Sequence, residues 1–220
     1  TDEAGLMVTV RVVKAGCDPL EAFAKVTIRP REVDVTAGSA RKFADGADLT
    51  EGGYAVRDDY TAAEKAAGKG FIGTDGITGV TMTGDSKIVG SSVEDSTVTR
   101  DNEIDTVAFS AGTVAGNYKI NLHKGTLEVI PVSVKPVVKV YDGVATNVEV
   151  VVPDKPAGTT FRYSYEKSGP YVNPFAAPKD VTEPTNVWCE VAAPGYGAVR
   201  NKSTVTILPR VVVMGAGSVT

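Results

Sequence analysis

The sequence predicts a mainly β protein built of tandem small β-modules, each an Ig-like sandwich or a β-grasp-like fold, with one short helix. Three observations lead to this prediction. Val, Thr, Gly and Pro are plentiful while aromatic residues are only 7% of the 220 residues, a composition typical of short strands joined by turns. Apolar and polar side chains alternate in several short segments. Finally, residues 26–39 recur as residues 205–218 with nine of fourteen positions identical.

The recurrence continues upstream at the same offset of 179 residues. The matching pairs are Val8 with Val187, Val12 with Val191 and Gly16 with Gly195. Agreement in one register over separate stretches is typical of a tandem array. We therefore expect one full unit cut out of phase, which opens in the tail of one repeat and stops just after the next repeat begins.

Prolines divide the chain, because proline has no N–H to donate and interrupts a strand. Pro30, Pro131 and Pro209 each follow an apolar strand-like segment. The predicted segments are 1–29, the terminal hairpin of a preceding repeat; 31–131, the first β-module; 132–209, an Ig-like second β-module; and 210–220, the first strand of the next repeat. Within 1–29 the alternation predicts strands at 6–14 and 22–28 around a turn at 15–19.

The first module contains the one convincing helix, at residues 59–67. Asp59 or Thr61 can cap it, Glu64 stands three residues after Thr61, and Gly68 supplies a stop. Strands are predicted at 33–37, 79–83, 106–110, 118–122 and 126–130. Lys124-Gly125 is predicted to form a tight turn between the last two strands. The acidic stretch 84–102 is predicted to be a long loop with at most one edge strand.

The second module shows regular strand and turn signals, which favour a small sandwich. Its strands are predicted at 133–141, 147–152, 160–166, 187–193 and 204–207. Four prolines stiffen the irregular connection 168–185.

Charge and hydropathy exclude two classes of partner. The net charge of −4 and the pI near 5.1 argue against nucleic acid, which needs a concentrated basic face. No apolar run approaches the roughly 18 residues of a membrane span. We therefore expect neither nucleic-acid binding nor membrane insertion by this segment.

A short motif occurs near the start of both modules: Lys42-Phe-Ala-Asp-Gly46 and Lys139-Val-Tyr-Asp-Gly143. A strand that ends in an aromatic residue before Asp-Gly is a sound strand-to-turn junction, because Gly accepts positive φ. With residues 80–92, 116–120, 125–129 and 193–196, these motifs resemble the YDG-type and MBG-type repeats of large bacterial cell-surface proteins. The first module departs from the pattern, since Ala44 stands at the tyrosine position.

This resemblance implies an exported, wall-attached, extracellular all-β repeat. No enzymatic activity is expected, because arrays of β-modules are usually spacers or binding surfaces. The expected function is a stalk that could also act as an adhesin, with neighbouring repeats and a host or cell-surface glycan or protein as partners. The alternative is an accessory carbohydrate-binding module of a secreted carbohydrate-active enzyme. Sugars stack on exposed aromatic rings, and only Trp188 with Tyr163, Tyr165 and Tyr171 could supply such a row.

No catalytic, cofactor-binding or metal-binding residue is predicted, and no cofactor is expected. Residues 68–73 match G-x-G-x-x-G, but they follow a helix, whereas a dinucleotide site needs a preceding strand. His123, the single histidine, is expected in an exposed hairpin turn, without the partners of a zinc site. Asp101, Glu103 and Asp105 are expected to be solvated charges, with a structural Ca²⁺ as the alternative.

Two further residue types could contribute to a site. Trp188 is expected to be a core anchor more than a sugar platform. Cys17 and Cys189 are expected to be unpaired, small and partly buried, since they are not equivalent in the repeat. An internal Lys–Asn cross-link remains an alternative, but no spacing singles out the residues for it.

Overall fold

The computed structural model describes residues 5–214. It has 48% strand and 5% helix, which confirms the mainly β prediction with one short helix. The strands are β1 (Leu6–Val12), β2 (Leu20–Val26), β3 (Arg31–Ala37), β4 (Ala40–Phe43), β5 (Tyr54–Val56), β6 (Ile77–Met82), β7 (Val98–Asn102), β8 (Ile104–Phe109), β9 (Tyr118–His123), β10 (Gly125–Ile130), β11 (Ser133–Lys135), β12 (Val137–Val140), β13 (Glu149–Val151), β14 (Thr160–Ser164), β15 (Thr182–Ala193) and β16 (Gly197–Leu208). The helix is α1 (Ala62–Ala66).

The chain divides into two compact units, and each draws on three segments. The first unit contains the residues up to Thr36, Tyr54–Thr81 and Ile104–His123. The second contains Ala37–Gly53, Met82–Glu103 and the residues from Lys124 onward. Of the strand predicted for 210–220, residues 210–214 have no regular structure and the rest lie outside the described residues.

The first unit is organised around β3, which lies between β5 and β9. β3 and β9 are parallel, with Val33 opposite Ile120, and Val33 and Val35 are fully buried. α1 begins after Thr61, which forms the predicted capping box with Glu64. The unit also contains the β6–β8 pair and the β1–β2 hairpin.

The second unit contains a four-stranded sheet, β12–β16–β15–β14, and the smaller sheets β4–β10–β7 and β11–β13. In strand β15, Val187, Cys189 and Val191 point to one face and are fully buried there. Val134 of β11 and Val150 of β13 pack against this face. A two-layer, sandwich-like arrangement results.

One buried cluster of the second unit contains residues on both sides of Pro131. Phe43 and Ile130 pack together with Cys189 and Val191. The Tyr196 ring lies 5.4 Å from the Phe43 ring, measured between centroids. The two stretches of sequence therefore share apolar core.

Both Lys-x-x-Asp-Gly motifs adopt the same structure. Lys42 Nζ donates to Asp45 Oδ1 at 2.5 Å and to the carbonyl of Ala47 at 2.8 Å, and the Ala47 amide donates to the same Asp45 oxygen. In the second motif, Lys139 Nζ donates to Asp142 Oδ1 at 2.7 Å and to the carbonyl of Val144, whose amide donates back to Asp142. We call each arrangement a Lys–Asp lock.

Each lock follows a strand that pairs in parallel with a strand far along the chain. β4 pairs with β10, and the Ala44 amide continues the ladder by donating to the carbonyl of Ile130 at 2.9 Å. β12 pairs with β16 in the same way, and the Tyr141 amide donates to the carbonyl of Leu208 at 2.9 Å. Pro131 and Pro209 follow these two carbonyl residues. Each parallel pair therefore ends at the same point of its motif.

The β1–β2 hairpin and the β15–β16 hairpin have identical register at the 179-residue offset. Leu6 lies opposite Val26 as Thr185 lies opposite Val205, and every pair up to Val12–Leu20 has its counterpart. The turns agree too. The amide of Cys17 donates to Lys14 as that of Tyr196 donates to Ala193, and Gly16 and Gly195 have φ of 80° and 79°. The recurrence in sequence is thus a recurrence in structure.

The predicted tight turn at Lys124-Gly125 is wrong. β9 pairs with β3, whereas β10 pairs with β4 and β7, so these consecutive strands do not form a hairpin. Gly125 has another role, because a Cβ on it would lie 1.9 Å from the carbonyl oxygen of Gly38. Opposite it, the fully buried Asn102 donates from Nδ2 to the carbonyls of Gly38 and Glu51, at 2.9 Å each.

We predict that Gly125→Ala destabilises the protein by about 2–4 kcal/mol, because the methyl group would displace the Gly38 backbone that Asn102 holds. Urea denaturation measures the effect. Gly79→Ala is the matched control, since Gly79 also lies in a strand, β6, and a Cβ there meets nothing within 4 Å. Equal effects of the two substitutions would contradict the role of this contact.

Candidate functional site

The outward face of the four-stranded sheet carries a row of three charged residues. Arg162 on β14, Glu190 on β15 and Arg200 on β16 lie directly opposite one another across the strands. One oxygen of Glu190 accepts from Arg162 Nη2, and the other accepts from Arg200 Nε at 2.8 Å. The carboxylate is therefore held from both sides by half-exposed guanidinium groups.

Glu190 is almost fully buried, with 3% of its surface exposed. Burial raises the pKa of its carboxyl group, but the hydrogen bonds from Arg200 and Arg162 outweigh burial, and the pKa lies below its usual value. One carboxylate shared by two guanidinium groups leaves a net positive charge in the row. The face can therefore attract an anionic group.

Aromatic rings lie on the same face as these charges. Trp188 is the neighbour of the row on β15, opposite Lys202, and it is half-buried. The Nζ atoms of Lys167 and Lys202 lie 5.7 Å and 5.8 Å from the centroid of its indole ring. The Tyr171 ring lies on Arg200, with 4.7 Å from its centroid to Cζ. These are cation–π distances.

The prediction that Trp188 is a core anchor is wrong, because alternation places it on the face opposite to Val187 and Cys189. The row of four aromatics is also divided between two faces. Tyr163 packs in the core against Cys189, and Tyr165 contacts Phe175 with its ring 4.8 Å away. Only Trp188 and Tyr171 are therefore on the cationic face, which we call the Trp188 face.

The single histidine lies in the first unit beside a carboxylate. His123 ends β9 and is exposed, and its Nε2 lies 3.3 Å from Asp34 Oδ1. Asp34 also accepts from Asn121 and from the Tyr60 hydroxyl. The hydrogen bond from Asn121 is the main reason why the pKa of Asp34 lies below its usual value, opposed by burial and supported by His123 and Tyr60. His123 therefore lies at a strand end, and the hairpin turn predicted for it does not form.

Arg57 connects this carboxylate to the helix. Its guanidinium contacts Asp34 at 3.7 Å, Asp59 at 2.7 Å and Glu64 at 3.1 Å. An open groove of about 510 Å³ is lined by Asp34, Arg57, Asp59 and His123, among others. Because the charges pair with one another, the arrangement fixes α1 and β9 to β3 and resembles a structural network more than a reaction centre.

The acidic residues of the candidate Ca²⁺ site have a basic partner in the structure. Lys124 Nζ lies 2.6 Å from Glu103 and 2.9 Å from Asp101, so a lysine contacts two of the candidate Ca²⁺ ligands. Within residues 5–214, no group of three or more His, Cys, Asp or Glu side chains is arranged to hold a metal ion.

The G-x-G-x-x-G stretch follows α1, and its carbonyls point at a cation. Arg31 donates to the carbonyls of Gly70, at 2.8 Å, and Lys69. A dinucleotide site would instead offer backbone amides to phosphate.

The cysteines differ from expectation in their burial. Cys189 is buried in the core, and burial raises the pKa of its thiol to about 12. Cys17 is exposed at the turn of the first hairpin, so the expected partial burial is wrong for it. Both are free.

No protein-family model matches the chain, and no curated protein matches it. In the described part of the chain, no helix has the length and apolar character needed to cross a membrane.

We predict that Glu190→Gln lowers the free energy of unfolding by about 1–3 kcal/mol at pH 7, because two charge-assisted hydrogen bonds weaken. The folded-state pKa of Glu190 is below its unfolded value. Its contribution to the free energy of unfolding is therefore fully present above the unfolded pKa of about 4.5, and it is lost as pH falls through the folded-state pKa. Urea titrations from pH 7 to pH 3 should therefore show the difference between the two proteins shrinking with acidification.

Glu183→Gln is the matched control for this experiment, since Glu183 is exposed on the same strand. We expect almost no change from it. A Glu190→Gln effect of constant size across the whole pH range would contradict the electrostatic account.

Proposed function

We propose that this chain is a non-enzymatic tandem repeat of a bacterial cell-surface protein, which acts as an extracellular stalk and can serve as an adhesin. One observation carries the proposal: the hairpin that ends the second module recurs at residues 6–26 with the same register, the same turn and the same positive-φ glycine. Stacked copies of one β-unit are typical of spacers and binding surfaces.

The two Lys–Asp locks support the same function. Both occur in the motif that resembles YDG-type repeats. Each lock directly follows a parallel strand pair, and the partner strand of that pair ends at the residue before a proline. A stalk needs modules that keep their shape, and a lysine bound to carboxylate and carbonyl oxygens restrains the turn where each module is closed.

We predict that antibodies against the 220-residue chain label intact cells of the bacterium that encodes it. Brief protease treatment of intact cells should remove the label, because an extracellular stalk is accessible. An antibody against a cytosolic protein is the control and should label only permeabilised cells. Labelling of the chain that also needs permeabilisation would contradict the extracellular location.

The Trp188 face favours a second candidate, an accessory carbohydrate-binding module. Its half-buried indole lies among Lys167, Lys202 and the Arg162–Glu190–Arg200 row. An aromatic ring that stacks on a sugar, combined with surplus positive charge, suits an acidic glycan.

For a carbohydrate-binding module, we predict that acidic glycans on an array retain the protein. Trp188→Ala should weaken the affinity for these glycans about tenfold, because one aromatic contact contributes roughly 1.4 kcal/mol. Tyr165→Ala is the matched control, because Tyr165 is an exposed aromatic residue of the opposite face. Loss of binding with Tyr165→Ala alone would place the site elsewhere, and an array without any bound glycan would remove this candidate.

A further inference from the structure

The β1–β2 hairpin has one face that is almost wholly apolar and exposed. Because its register equals that of β15–β16, each residue has a counterpart whose surroundings are known. Val10, Val12 and Ile28 are 54%, 59% and 90% exposed, while their counterparts Cys189, Val191 and Ile207 are fully buried. The side chains of this face are Leu6, Val8, Val10, Val12, Leu20, Ala22, Ala24, Val26 and Ile28.

The counterpart hairpin shows what covers such a face. Val134 of β11 and Val150 of β13 pack over it, together with Tyr163. Phe43 and Ile130, which precede residues 132–184 in the chain, join the same cluster at Cys189 and Val191. Along its edges, β12 pairs in parallel with β16, and β14 pairs antiparallel with β15. In the described part of the chain, β1 and β2 pair only with each other. Isolated two-stranded hairpins of this kind are marginally stable.

We propose that the β1–β2 hairpin is an acceptor for a polypeptide segment of the same sequence type as residues 132–184. Such a segment supplies two valine-bearing strands that cover the apolar face. It also supplies a strand with a Lys–Asp lock, parallel to β2, with its Val137 equivalent opposite Val26 and its Lys139 equivalent opposite Ile28. A fourth strand pairs antiparallel with β1.

The charges of the hairpin specify this fourth strand further. In the second module, Arg162, Glu190 and Arg200 alternate in sign across three strands. In the hairpin the order is reversed, because Arg11 takes the position of Glu190 and Glu21 that of Arg200, with 3.6 Å between Arg11 Nε and Glu21. Directly opposed like charges destabilise a sheet. The strand that pairs with β1 therefore carries an acidic residue at the position of Arg162.

The proposal shares the repeat architecture with the proposed function but does not depend on the cell surface. If cell labelling failed, the strand acceptor would stand. If the acceptor failed, the extracellular location would be untouched.

The test is a chimera in which residues 132–184, with Arg162→Glu, are placed directly before Leu6 and residues 6–220 follow unchanged. This junction keeps the phase, because Leu6 is the counterpart of Thr185. Hydrogen exchange is measured on the amides of residues 6–12 and 20–26, in the chimera and in the 220-residue chain. We expect at least about a hundredfold slower exchange in the chimera, as burial replaces an open hairpin.

Three matched variants of the chimera make the result specific. Val10→Asp, on the apolar face, should abolish the gain in protection. Met7→Asp should leave it, since the counterpart of Met7 is the exposed Asn186. Retaining Arg162 in the added segment should reduce the protection several-fold, because it would face Arg11.

Two outcomes would overturn the proposal. One is hairpin exchange as fast in the chimera as in the 220-residue chain, while residues 182–208 of the same molecule stay protected. The other is a dimer of the 220-residue chain, seen by sedimentation, that protects its hairpin fully and dissociates with Val10→Asp, because the occupant would then be a second copy of the hairpin.

Discussion

The parallel pairing of β4 with β10 and of β12 with β16 is the constraint on which the second unit depends. Each pair joins strands that are far apart in sequence, so forming it costs the entropy of closing a long loop. The Lys–Asp lock restrains the turn directly after each pair, with the lysine in the strand and the aspartate in the turn. Without this closure, Phe43 would not reach the cluster of Ile130, Cys189 and Val191.

Local features of this fold could be predicted from the sequence. Thr61 and Glu64 predict where the helix begins, because a capping box is complete within four residues. The alternation of apolar and polar residues in 6–12 and 187–193 predicts their strands, since this two-residue period is visible within a single strand. The sequence recurrence at an offset of 179 residues predicts that two hairpins are equivalent, and the registers of these hairpins agree pair by pair.

Non-local features could not be predicted in this way. Strands β4 and β5 have four and three residues, which is too short for an alternation pattern to identify, and each pairs with a strand that is not its neighbour in sequence. Lys124-Gly125 has the composition of a turn, but Gly125 is required by the approach of the Gly38 backbone, which no local pattern records. Residue type predicts Trp188 in the core. The alternation of the strand instead predicts it on the face opposite to its buried neighbours Val187 and Cys189, which is where it lies.

Comparison of the two equivalent hairpins separates what the fold requires from what it leaves open. Most inward positions stay apolar or small in both, as in Val8 with Val187 and Val12 with Val191. Ala22 is an exception, because its counterpart Asn201 is polar and donates to the carbonyl of Val132. The outward positions keep their geometry but change their chemistry, as Thr9 corresponds to Trp188 and Arg11 to Glu190. Since the apolar face supplies most of the burial that holds such a sheet together, most outward positions can vary without loss of the fold. The outward faces of the two hairpins therefore differ in chemistry while their inward faces keep the same apolar pattern at most positions.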